Sequence, residues 1–404
     1  MTVLDRFLGY VVIDSQSEED AGKIPSTEKQ FAMSDKLAAE LAALGVKDVI
    51  RDEMGYVYGK LPSNLDREVP AVGFCSHIDT ATELPGPSET PRVIKGYDGS
   101  VIALNDRISL DPATDKALAA SVGCDLVVTN GETLLGGDDK AGVAEIMTAV
   151  QYFVEHPEVK HGTFCFAFTP DEEVGTSTDE FSVEKWGADV GYTVDGAGPN
   201  EIEFENFNAA WGHVAFHGMV THPGGAKNVM KNANLMAMEF AGMLPAAERP
   251  EHTEGYEGFY HLISMGGTCD EAQLAYLLRD PDRESFEQRK VTMQAAADFI
   301  RAKYGEKAVD VTFKDSYYNM AEVVEQHPEC LEHARAAIRA AGLTPVSNCI
   351  RGGTDGCRIS FMGVPCPNLG TGSYNHHGNT EFANVQHMEK MVEIILGIVK
   401  EYAK

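Results

Sequence analysis

Val72-Gly73-Phe74-Cys75-Ser76-His77-Ile78-Asp79-Thr80 is an apolar run that feeds without a break into a histidine and a carboxylate. Its first four residues are of buried-strand type, and the change to polar character at Ser76 marks the strand's end. The pattern recurs. Phe164-Cys165-Phe166-Ala167-Phe168 leads to Asp171-Glu172-Glu173, and Gly191-Tyr192-Thr193-Val194 leads to Asp195-Gly196. Gly137-Asp138-Asp139-Lys140 and Tyr374-Asn375-His376-His377-Gly378 complete the set. Open α/β sheets bind ligands outside the carboxyl ends of their strands. One such cluster alone reads as a solvated loop or a satisfied core group; five together describe a single metal site.

The 404-residue chain is too long for one ordinary core, so two domains are expected. With 33 Lys and Arg against 62 Asp and Glu, its formal net charge is −29. That charge repels phosphate backbones and anionic lipid, which argues against nucleic-acid or membrane partners and favours cationic ligands and metal ions. No run is long and apolar enough to span a bilayer, and Met1-Thr2-Val3-Leu4-Asp5-Arg6 lacks a basic-then-apolar secretory pattern. A cytoplasmic protein is expected. The eight cysteines form no CxxC pair and several lie in apolar strands, so they read as reduced, buried small hydrophobes.

Working outward from the strands, residues 3–13 have helical apolar spacing, and Pro25-Ser26-Thr27-Glu28 is expected to start a second helix that runs to about residue 44. Residues 57–61 and 71–75 read as strands and 140–156 as a helix ended by Pro157. Strand and helix alternate through Asp195, which predicts a doubly wound mixed sheet. The rhythm changes at Trp211: strand 213–217, helix 229–244, strands 259–264 and 271–278, helix 284–304 and strand 309–314. That β-α-β-β-α-β order is ferredoxin-like and fills a domain of its own. Helix 326–341 and a last helix, 386–403, return to the first pattern. A catalytic domain of residues 1–207 and 319–404 is therefore expected to carry an inserted lid or dimerisation domain of residues 208–318.

Zinc prefers imidazole and carboxylate ligands, and two adjacent ions need a carboxylate that bridges them. Asp138 reads as that bridge, with Asp139 as the cap of the following helix. His77 offers a ligand, and Asp79, two residues on along an extended segment, can hold the imidazole's second nitrogen. In Asp171-Glu172-Glu173, neighbouring side chains diverge, so one can ligate metal while another faces a water as general base. One of His376 and His377 ligates. His222, at a strand-to-helix turn of the inserted domain, can donate to an oxyanion. Arg351, on a glycine-rich loop, suits a substrate carboxylate or carbonyl.

Taken in order, SHIDT, GGDDKAG, TPDEEVG, TVDG, HPGGAK, IRGGTDG and YNHHG resemble the di-zinc metallopeptidase family over essentially the whole chain. PSTE at residues 25–28, EFENFNAA at 203–210, TEGYEGFYHL at 253–262 and DSYYNM at 315–320 are similar to its tripeptide aminopeptidase branch. The resemblance implies two Zn2+ per subunit, with His77 and Asp195 on one ion, Glu173 and His377 on the other, and Asp138 bridging. It implies Asp79 as the orienting acid, Glu172 as general base, and His222 and Arg351 as contacts to substrate or tetrahedral intermediate. Two residues depart from the pattern, Gly137 where alanine is usual and His376 where tyrosine is usual, and neither removes a ligand.

Residues and resemblance together imply a hydrolase that removes the N-terminal residue from tripeptides. A zinc-bridging water would lose its proton to Glu172, and closure of the small domain would exclude solvent and measure peptide length. Arg279 and Lys227 on the lid, with Arg351 on the facing catalytic domain, are the candidates for binding the substrate's far carboxylate. Arg279 has an alternative role as an ion-pair partner of its neighbours Asp280 and Asp282. A homodimer through the inserted domain is expected. The rival readings are a di-zinc hydrolase of acylated amino acids or dipeptides, and a silent peptide-binding protein, which should have lost a ligand or the base.

Overall fold

The run at Val72–His77 is a strand in which every residue is buried. A computed structural model describes residues 1–404. The strand is the middle member of a seven-stranded sheet ordered Ile50–Arg51, Val57–Leu61, Phe164–Thr169, Val72–His77, Val190–Gly196, Asn368–Gly370, Ile202–Glu203. Val72 lies opposite Phe164 and Val190, and Asn368 opposite Thr193, all in parallel pairing. The outer pairs are antiparallel, which makes the sheet mixed. Strands buried on both faces read as continuous apolar runs, and this is why the short segments were legible.

Successive side chains of a strand serve opposite faces. Phe74 stacks on Tyr192 at 5.4 Å and meets Phe164 edge-on at 5.6 Å, and Phe153 of the helix Gly137–Glu155 packs on Phe164 at 5.7 Å. Burying such a ring stabilises the fold by roughly 1.5–3 kcal/mol. On the opposite face a Cβ at Gly73 would lie 2.4 Å from the indole of Trp186, at the end of the helix Val183–Trp186. Helices thus cover both sides, as a doubly wound fold requires.

By contact the chain divides into two units: residues 1–204, 322–348 and 354–404 form one, and residues 205–321 with 349–353 form the other. The second unit runs strand Asn208–His217, helix Ala233–Met243, strands Phe259–Gly267 and Glu271–Asp280, helix Arg283–Tyr304, strand Val309–Tyr317. Its sheet order is Phe259–Gly267, Glu271–Asp280, Asn208–His217, Val309–Tyr317, with every pair antiparallel. Phe216, Met236, Phe240, Leu274, Leu278 and Met293 are among the residues of its core.

Two local expectations are corrected. The second helix begins at Gln30, not at Pro25-Ser26-Thr27-Glu28; Ser26 spends its N–H and hydroxyl on Asp171, so it caps nothing. Arg351 belongs to the second unit, not to the catalytic one. The cause is a short parallel pairing of Cys349–Ile350 with Glu205–Asn206, extended by Phe207 N–H donating to the Ile350 carbonyl at 3.0 Å. None of the eight cysteines is in a disulfide, and no helix is long and apolar enough to cross a membrane.

Candidate metal centre

Parallel strands end together, so their last residues converge. His77 closes its strand and Asp195 lies near the end of the next, while Glu172 and Glu173 follow the strand Phe164–Thr169. His77 Nε2 is 2.9 Å from Asp138 Oδ1 and 3.5 Å from Asp195 Oδ1. His377 Nε2 is 2.9 Å from Glu173 Oε2 and 3.4 Å from Asp138 Oδ2. The two oxygens of Asp138 therefore face different histidines. Donor atoms of His77, Glu172 and Asp195, and likewise of His77, Asp138 and Glu173, lie within 4.8 Å of one another. His376 Nδ1 also approaches Asp138 Oδ2, at 3.4 Å, and its Nε2 is buried without a partner.

Asp139 takes the helix-capping role that the sequence anticipates for it. Asp139 Oδ1 accepts the Gly142 N–H at 3.2 Å, three residues on, and its Oδ2 accepts the Ser76 hydroxyl and the His77 N–H. Asp138 is thereby free of capping. The helix also sits hard against the strand, because a Cβ at Gly142 would lie 2.1 Å from the Val194 carbonyl oxygen.

Burial and mutual repulsion set the electrostatics. Burial, then Asp195, pushes the Glu172 carboxyl well above its ordinary range; burial, then Asp138, raises Glu173 to about 7; burial, then Asp138, raises Asp195 to about 6. Asp138 goes the other way: burial opposes its charge, but His376, His377 and His77 hold it well below the usual range. Burial likewise opposes a charged His77, and Asp195, Asp138 and Asp79 override it. One oxygen of Glu173 is buried with no partner. Four carboxylates held this closely, with only imidazoles beside them, fit divalent cations, which would take the place of the shared protons.

Around these groups stands a second set. Asp79 is fully buried; its Oδ1 and carbonyl oxygen lie 3.3 and 3.1 Å from His77 Nδ1. Two acceptors there keep a proton on Nδ1 and aim Nε2 at Asp138 and Asp195. Asp79 also accepts the backbone N–H groups of Glu172 and Glu173, at 3.0 and 3.2 Å. Three acids escaped the sequence reading. Glu83 Oε1 is 3.0 Å from His377 Nδ1, the counterpart of Asp79 at the other histidine. Glu381 accepts the N–H groups of Leu135, Gly136 and Asp138, fixing the approach to Asp138. Asp355 accepts the Thr169 and Ser177 hydroxyls. Glu83 and Glu381 are isolated acids with no local signal; Asp355, inside IRGGTDG, was visible but overshadowed by Arg351.

The remaining predicted residues, His222, Lys227, Arg279 and Arg351, all lie in the second unit. His222 is exposed and accepts the Gly224 N–H at 3.1 Å; Lys227 is exposed. The ion-pair alternative for Arg279 does not hold, since Asp280 pairs with Arg289 at 2.8 Å and Asp282 caps a helix through the Ser285 N–H at 2.7 Å. Arg279 Nη1 donates instead to the Arg351 carbonyl at 2.7 Å, and its Nε is buried without a partner. Arg351 donates to the Gly255 carbonyl at 2.7 Å and to the Thr253 hydroxyl at 2.9 Å, with Phe207 and Phe259 rings at 5.1 and 5.4 Å.

Residues 132–401 match the model of peptidase family M20/M25/M40. The chain belongs to that family, and it is a hydrolase, a metallo-exopeptidase. Relatives named peptidase T include one from Caldanaerobacter subterraneus, 46% identical over 404 residues and covering 100% of this chain and 99% of the relative. Another, from Clostridium botulinum, is 48% identical over 403 residues and covers 99% of both. The fold is shared with the crystal structure of the aminopeptidase PepT from Bacillus cereus, with 24% identity, a TM-score of 0.78, and 100% of this chain and 98% of that one covered. A tripeptidase structure from Staphylococcus aureus has 22% identity and a TM-score of 0.74, covering 99% and 98%.

Proposed function

We propose that this protein is a cytoplasmic di-zinc aminopeptidase that hydrolyses the N-terminal peptide bond of tripeptides. The observation that carries the reading is the geometry of Asp138, whose two oxygens face two histidines, each with a further carboxylate of its own. His77 and Asp195 would hold one ion, Glu173 and His377 the other, with Asp138 shared. When bound, the pair would supply Lewis-acid polarisation of the scissile carbonyl and an acidified attacking water. Glu172 takes the proton from that water and returns it to the leaving amine, and Asp79 holds its backbone in place. His222 is the proposed donor to the developing oxyanion. The peptidase T relatives support the substrate class.

Arg279 and Arg351 support recognition of a free C-terminus. Their guanidinium groups are held by carbonyls, a hydroxyl and aromatic rings, not by carboxylates, in a chain with 62 acids. Lys227 is the third proposed contact. The test is turnover of metal-loaded protein on matched di-, tri- and tetrapeptides and on a C-terminally amidated tripeptide. The free tripeptide is expected to be cleaved fastest, and the amide to lose several kcal/mol in kcat/KM, because a cation loses its partner anion. Equal kcat/KM for acid and amide would leave length to steric closure alone.

A homodimer through the second unit completes the reading. Its outer strand Phe259–Gly267 exposes Leu262, Ile263 and Met265 beside an unpaired edge. A sedimentation mass near twice 43.8 kDa is expected.

A further inference from the structure

Pro25-Ser26-Thr27-Glu28 has no part in the chemistry above, yet it is packed against the loop that carries Glu172. Ser26 is 2% exposed, and Gln30 and Asp171 are fully buried. Asp171 immediately precedes Glu172 and sits at φ 60°, a left-handed conformation that a non-glycine residue keeps only under constraint.

The constraint comes from two residues. Gln30 grips Asp171 twice: its amide nitrogen donates to Oδ1, and its amide oxygen accepts the Asp171 N–H at 3.1 Å. Ser26 donates its N–H to Oδ2 at 2.6 Å and its hydroxyl to Oδ1. The Asp171 carbonyl accepts the N–H groups of Thr176 and Ser177, both at 3.1 Å, which closes the loop on itself. The loop's feet are pinned separately, because Asp355 takes the hydroxyls of Thr169 and Ser177. The grip from residues 26 and 30 is therefore not needed to attach the loop. What it adds is the conformation of Asp171.

We propose that Ser26 and Gln30 are positioning residues that act through Asp171 to hold Glu172 in the orientation in which it meets the attacking water. The proposal rests on Glu172 being the general base. Misplacement of a reacting group by about 1 Å costs on the order of 100-fold in rate. Gln30→Leu is thus expected to lower kcat on a tripeptide by about 10- to 100-fold, with KM and metal content unchanged. Ser26→Ala should act in the same direction, and Ser26→Thr, which keeps the hydroxyl, should restore most of the rate. The Thr176 and Ser177 amides should exchange hydrogen faster in Gln30→Leu, a readout independent of turnover.

The deciding measurement is the double variant. In a Glu172→Gln background, Gln30→Leu should cost nothing more, since two residues acting on one step are not additive. If Glu172→Gln alone turns over normally, the base assignment fails and the proposal with it. If Glu172→Gln is slow but Gln30→Leu multiplies the loss in full, or acts through KM or metal loss, the base stands and the positioning role is overturned.

Discussion

Glu172→Gln in metal-loaded protein is expected to lower turnover by ~100-fold or more while leaving the metal content intact. The substitution keeps the size and hydrogen bonding of the side chain and removes only the proton acceptor. Burial and Asp195 strengthen the carboxyl's hold on a proton, and cations beside it would weaken that hold. Turnover and metal analysis on the same sample separate the alternatives. Near-normal turnover with full metal would move the base elsewhere. Loss of one metal equivalent would make Glu172 a ligand, because its donor atom also lies with those of His77 and Asp195.

Asp138→Ala is expected to lose at least one equivalent of metal, and with it the activity. A helix cap in that position would cost only ~1 kcal/mol of stability on replacement. That lesser outcome is already disfavoured, because Asp139 bonds the Gly142 N–H. The variant should therefore unfold close to the parent's metal-free midpoint and differ in what it binds. Two equivalents still bound after dialysis would mean that the bridge lies in another residue.

What could be read from the sequence was whatever leaves a local mark. Strands buried on both faces are unbroken apolar runs, so their ends were plain at His77, Asp171 and Asp195, and the acids and imidazoles gathered in the structure include groups at those ends. Helix caps chosen by adjacent acids were also legible, as at Asp138 and Asp139. Pro25-Ser26-Thr27-Glu28 was misread because it has every local mark of a helix start, while its true partner, Asp171, lies far along the chain and outcompetes the helix for Ser26. Arg351 was given to the wrong unit because a two-residue parallel pairing with Glu205–Asn206 has no periodicity to detect. Glu83 and Glu381 carry no pattern at all; only folding gives a lone acid its neighbour.

The strand Asn368–Gly370 sits between Val190–Gly196 and Ile202–Glu203 in the sheet, although the chain supplies it far later. During synthesis the edge of Val190–Gly196 must wait for it. Roughly 170 residues separate the two, so at ribosomal rates the wait is roughly 10–35 s. Throughout that interval an apolar strand edge is open to other chains, and His377 has not yet been made. The residues that cover this edge and the proposed metal ligand His377 thus arrive within one short stretch of synthesis, so the sheet is closed and the proposed ligand set completed almost together.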